Sequence, residues 1–161
     1  MANRRAQIVL TPAEIDELLR TGRPVMSIAT NGPDGHPHVV AMWFDLLPLF
    51  GEEPKPVFWT FAKSQKVVNL RRDPRLTALV EAGEAYEELR GVELVGTGRI
   101  VDDPATILEI GTRVIARYQG PEAVSGAARP YIEAQAAKRV GVVIDVERVV
   151  SWDHRKLAGL S

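Results

Sequence analysis

Trp59-Thr60-Phe61-Ala62-Lys63-Ser64-Gln65-Lys66-Val67-Val68-Asn69-Leu70-Arg71-Arg72-Asp73-Pro74 passes from a strand-like run into a helix through two lysines and a hydroxyl. A helix start exposes its first N–H groups and the positive end of its dipole, so anions settle there readily. Ser64 stands where an N-cap is expected, and Pro74 stops the helix just after Arg72. Spacing alone leaves two readings open. In one, Lys63 and Lys66 are solvated and Ser64 only caps; in the other, the junction holds an anion.

Outward from this junction, the pattern is mostly strand. Pro56 to Phe61 precedes it and Arg75 to Glu81 follows it, with the Ser64 to Arg72 helix between them. Upstream, Thr11-Pro12-Ala13-Glu14 supplies a capping residue, a first-turn proline and a glutamate three residues on, opening a short amphipathic helix that ends near Gly22. Arg23 to Thr30 and His38 to Leu47 read as strands, paired antiparallel through the turn residues Asn31-Gly32-Pro33-Asp34-Gly35. Downstream, Val92 to Val101 is a strand whose Gly96-Thr97-Gly98 marks a bend or a close approach of backbone. Asp103-Pro104 opens a helix with Ile107, Ile110, Val114, Ile115 and Tyr118 largely on one face, which should cover the sheet until Gly120-Pro121 ends it. Arg129 to Lys138 is a further helix, and Arg139 to Val150 a last strand rich in Val and Ile. Six strands with inserted helices fit a mainly β, α+β architecture, a closed or partly closed antiparallel barrel, better than a doubly wound sheet with regular β-α alternation.

Composition narrows the function. A chain of 161 residues is expected to form one domain, 1–161, with a substantial core. Its net charge of -1 argues against a nucleic-acid partner. With no cysteine, it has no disulfide, thiolate or Cys-ligated metal, so any redox chemistry needs a borrowed cofactor. No stretch approaches the ~18 apolar residues of a membrane span, and a soluble, cytoplasmic protein is expected. His36, His38 and His154 lack the spacing of a metal triad, so no metal is expected. Neither a dinucleotide fingerprint, a P-loop nor a serine-hydrolase elbow occurs. Glu52-Glu53 and Glu87-Glu88 read as solvated loop charges. Trp43 and Trp59 read as core residues beside strands. Trp152 falls in a polar tail after the last strand, where it either lids the domain's own core or a dimer interface, or walls a pocket for a planar ligand.

Three runs taken in order carry a resemblance: Gly35-His36-Pro37-His38-Val39-Val40-Ala41-Met42-Trp43-Phe44, then Lys63 to Pro74, then Val95-Gly96-Thr97-Gly98. Together they resemble the FMN-binding split-barrel superfamily, and more narrowly its pyridoxamine-phosphate-oxidase-like branch that uses the deazaflavin coenzyme F-420. The likeness runs from about Arg23 to the Ser151-Trp152-Asp153 tail. It implies a homodimer of six-stranded split barrels with two cofactors in clefts between the subunits, and it tips the junction towards the anion reading. By position, Thr60, Lys63, Ser64, Lys66 and Asn69 would meet the phosphate region. Pro37, His38, Val40 and Met42 would line the ring system, partly through backbone groups, and Trp152 would close the pocket from the partner chain. The implied activity is hydride transfer between the deazaflavin and an unsaturated small-molecule substrate, with no catalytic side chain singled out. An FMN-dependent oxidase or reductase of the same fold, or a carrier of the cofactor without turnover, are the rival readings.

Overall fold

In the computed structural model, which describes residues 3–159, seven antiparallel strands form one curled sheet in the order β2-β1-β5-β6-β7-β4-β3. The strands are β1 (Met26–Asn31), β2 (Pro37–Met42), β3 (Asp45–Leu47), β4 (Lys55–Phe61), β5 (Arg75–Ala82), β6 (Arg90–Val101) and β7 (Arg139–Asp153). The helices are α1 (Arg4–Gln7), α2 (Pro12–Arg20), α3 (Gln65–Arg72), α4 (Pro104–Gln119) and α5 (Arg129–Ala136). The ends of the expected 1–161 unit, residues 1–2 and 160–161, lie outside the described residues.

Local chemistry explains most of these elements. At α2 the Thr11 hydroxyl accepts from the Glu14 N–H at 3.2 Å, while the Glu14 carboxylate accepts from the Thr11 N–H at 2.6 Å, a reciprocal capping box. At α4 the Asp103 carboxylate accepts from the Thr106 N–H at 2.9 Å. Between Val95 and Gly96 the β6–β7 register slips, and a Cβ on Gly96 would run into the Asp145 carbonyl. The glycine signal in Val92 to Val101 therefore marks a close backbone approach at a bulge.

The strand count is seven rather than six because the run His38 to Leu47 is broken at Trp43-Phe44. β2 forms one edge of the sheet and β3 the other, so these two residues carry the chain from edge to edge. Met42 and Asp45 are three peptide units apart, which holds the two edges within about 11 Å at this point. Phe44 is fully buried, its carbonyl accepts from Arg117 Nη1 at 3.0 Å, and Trp43 stacks on Tyr118 with ring centroids 4.8 Å apart. Trp43 is 42% exposed and is not the core residue its strand setting suggests.

Inside the curl, Met26, Ile28, Phe58, Leu76, Val80 and Ile144 pack around Phe44. A second apolar cluster joins Ile110, Val114 and Tyr118 of α4 to Leu47, Val57 and Val143. β7 contributes to both clusters, so it is buried on both faces from Val140 to Ile144, which accounts for the absence of polar side chains in Val140-Gly141-Val142-Val143-Ile144. On the outer side Lys55 and Arg99 both reach Glu52 and Asp145, at 2.7 to 3.0 Å. Glu52 is thus ion-paired rather than a free loop charge, and hydrogen bonds from Arg99, then Lys55, hold the Asp145 carboxyl down at about 2.

Trp59 lies against α4 at Gly111, where a Cβ would come 2.5 Å from the indole ring. Replacing this helical glycine by alanine gains about 1 kcal/mol of helix propensity but overpacks the contact at a cost of about 1–3 kcal/mol. Gly111→Ala is therefore expected to lower stability and alter tryptophan emission; urea denaturation showing equal or higher stability would contradict the contact.

Candidate functional site

The loss of pairing at both sheet edges makes a cleft. β2 pairs only with β1, and β4 pairs with β3 only as far as Val57, leaving residues 58–61 without a strand on that side. Ala41, Met42 and Trp43 from the first edge face Trp59, Thr60 and Phe61 from the second across a cleft of about 370 Å³, completed by Lys66, Val114 and Arg139. Unpaired backbone N–H and C=O groups on such edges are available to a ligand.

Lys66 stands in the first turn of α3 and folds back so that its ammonium donates to Thr60 Oγ1 at 2.9 Å. It is 7% exposed, and among the described residues no carboxylate pairs with it. Burial pushes its pKa down from the ordinary 10.5. An ammonium has three N–H donors, so two remain unused. Ser64 occupies the N-cap position as expected, but its side chain does not cap, and its buried Oγ has no hydrogen-bond partner. A buried cation and an orphaned buried hydroxyl two residues apart at a helix start are a donor set that fits an oxyanion.

The remaining predicted residues divide. Asn69 is fully buried and occupied, donating to Thr30 Oγ1 at 3.0 Å and accepting from Gln65 Nε2 at 2.8 Å, so it pins α3 to β1. Lys63 is exposed. His38, Val40 and Met42 alternate onto the inner face of β2, opposite Thr30, Ile28 and Met26, and Met42 reaches the cleft. Pro37 faces the other way, near Arg75 and Glu147. Trp152 lies within β7 and not in a tail; it pairs with Gly91, where a Cβ would strike its indole. Thirteen residues of strand, about 40 Å, separate it from Arg139, so within one chain it does not join the cleft.

Trp43, Trp59, Phe61 and Arg139 belong to the cleft, a role the sequence reading gave to none of them, Trp43 and Trp59 being read as core. Trp59 and Phe61 share a face by period-two spacing, which was legible. Arg139 was not, because only the β4–β7 register places it opposite Phe61. Its guanidinium carbon sits 4.1 Å from the Phe61 ring centroid and 4.6 Å from that of Trp59.

Fold and cleft together define a curled-sheet protein with a buried ammonium and an orphaned hydroxyl at a helix start beside an aromatic-lined opening. The chain belongs to the pyridoxamine 5'-phosphate oxidase family, whose model matches residues 11–153. The family's fold is a flavin-binding one. A conserved hypothetical protein from Mycobacterium tuberculosis is 44% identical, with a TM-score of 0.85 over 96% of this chain and 91% of that one. A structure described as an F420 reductase is 28% identical, with a TM-score of 0.59 over 83% of this chain and 94% of the other. The General Stress Protein 26 of Bacillus anthracis, at 15% identity and a TM-score of 0.56 over 83% and 88%, shares the fold alone. No curated protein matches the chain. No helix among the described residues is long and apolar enough to cross a membrane, and no cluster of three or more metal-ligating side chains is found among them.

Because the folded pKa of Lys66 lies below its unfolded value, the buried charge opposes folding most at low and neutral pH. That penalty is relieved as pH climbs through the folded pKa towards 10.5. Lys66→Met is expected to stabilise the ligand-free protein at pH 7, raising its unfolding midpoint by about 2–4 °C per kcal/mol removed, and to flatten this alkaline gain. A lower midpoint in Lys66→Met would show that the ammonium stabilises the fold.

Proposed function

We propose that the protein is an oxidoreductase that uses the deazaflavin coenzyme F-420 to reduce an unsaturated small molecule. The observation that carries the reading is Lys66, a buried ammonium whose one hydrogen-bond partner among the described residues is the neutral Thr60, next to the unpartnered hydroxyl of Ser64. A family match over residues 11–153 and a 28% identical neighbour described as an F420 reductase support it.

Lys66, Ser64 and Thr60 would hold the cofactor's phosphate, with Lys63 adding charge nearby and Asn69 keeping α3 in place. Charge-assisted hydrogen bonds suit this role, being stronger than neutral ones. Val40, Met42 and Trp59 would flank the ring system, with His38 further along the same face of β2. The bound deazaflavin supplies the hydride-transfer chemistry. The side chains lining the cleft include no carboxylate and no imidazole, so their part is to bind and orient the reactants. In the same reading a second copy completes the site. Exposed Val39, Trp43, Val68 and Val149 offer apolar surface for it, and the partner's β7 would bring a Trp152 to the opening.

Titrating the cofactor-free protein with the deazaflavin and with FMN while following tryptophan emission separates the deazaflavin reading from the FMN one. Tighter FMN binding would overturn the preference. Lys66→Ala is expected to weaken cofactor binding by about 1.5–3 kcal/mol while unfolding stays cooperative, and an unchanged affinity would refute the phosphate assignment. Sedimentation should give twice the 17.7 kDa chain mass; a monomer with cofactor bound would contradict the shared cleft.

A further inference from the structure

Arg139 is the second cation of the cleft, and its surroundings differ from those of Lys66. The β4–β7 register sets it opposite Phe61, and its guanidinium is held against the Phe61 and Trp59 rings. Two aromatic faces around one planar group fix its orientation. One nitrogen is used internally: Nη1 donates to the Gln135 carbonyl at 3.0 Å and to Gln135 Oε1 at 2.5 Å. Nε and Nη2, the adjacent pair that forms a two-pronged donor, have no partner among the described residues.

The carboxylates bordering the neighbouring α4–α5 cleft, which Arg139 also lines, are already engaged. Glu133 pairs with Arg129 at 2.8 Å, and Asp102 with Arg71 at 3.4 Å. Half-burial of a guanidinium without a counter-ion is unfavourable, and burial depresses its pKa accordingly. A side chain needed only to hold the end of α5 would not require its free edge to line an open cleft.

We propose that Arg139 is a specificity residue that receives a carboxylate of the ligand through a bidentate Nε–Nη2 contact, separately from the phosphate role of Lys66. The inference rests on the cleft being the ligand site, as argued above. A planar fork matches a planar carboxylate, whereas the ammonium, the hydroxyl and the helix start suit a tetrahedral phosphate. The carboxylate comes either from the cofactor's acidic tail or from the substrate.

Two probe pairs distinguish these sources by tryptophan emission: cinnamate against methyl cinnamate on the cofactor-free protein, and the deazaflavin coenzyme against the same coenzyme with its tail carboxylates methylated. In at least one pair the native protein should prefer the free acid. Arg139→Gln should then weaken the acid about 10- to 100-fold while leaving the ester within about twofold, with Arg139→Lys in between because it keeps the charge but loses the fork. Preference in the cinnamate pair assigns the contact to substrate, and preference in the coenzyme pair to the cofactor tail. No acid preference in either pair, or equal losses for acid and ester in Arg139→Gln, overturns the proposal and leaves Arg139 as a prop for Gln135. Failure of the native protein to bind both FMN and the coenzyme would defeat the cofactor reading, while the cinnamate pair still decides the role of Arg139.

Discussion

The two-residue crossing at Trp43-Phe44 is the constraint on which the rest of the molecule depends. A sheet of this strand order has its second and third strands at opposite edges, and so short a link allows that only if the sheet curls until the edges nearly meet. Burial of Phe44 and the grip of Arg117 and Tyr118 hold the crossing in place. Curling then encloses the core on one side. It also leaves β2 and the end of β4 facing each other without a strand between them, and that gap is the cleft.

Placing cations in this gap is costly, and their company shows how selectively it is done. Elsewhere the chain pairs its partly buried charges closely: Asp145 with Arg99 and Lys55, Asp153 with Arg155, Asp45 with Arg117. Lys66 and Arg139 line the cleft with no carboxylate partner among the described residues. Unpaired buried charge works against a fold unless something compensates it, so these two residues carry a cost in stability that no partner among the described residues offsets. Their chemistry also differs, one a compact ammonium next to an orphaned hydroxyl, the other a flat guanidinium held between aromatic rings.

Much of the fold was legible because its signals are local. The Thr11 capping box, the proline and aspartate opening α4, and the glycines at the β6 bulge are decided by residues a few positions apart. So was the strand-to-helix junction at Lys63 to Asn69. What was misjudged depended on distant partners. His38 to Leu47 looks like one strand because its composition carries no trace of Tyr118 and Arg117 waiting to draw Trp43 and Phe44 aside. Trp152 looks like tail because β7 is extended to Asp153 by pairing with Arg90 and Gly91. Trp43 was taken for core because aromatic residues beside strands usually are, a reading that holds for Trp59, which packs against the α4 cluster while also lining the cleft.

By itself, the sequence determined that a helix begins after Ser64 with Lys66 in its first turn, and that the motifs around it belong to one family. Hydrogen-bonding capacity, backbone propensity and periodicity act over a few residues, so they can be read without knowing the fold. Tertiary structure alone decided that Lys66 is buried without a counter-ion, that Ser64 leaves its hydroxyl free, and that Arg139 completes the cleft. Each of these depends on which groups a distant strand or helix brings near, and desolvation and pairing are properties of that neighbourhood and not of the residue.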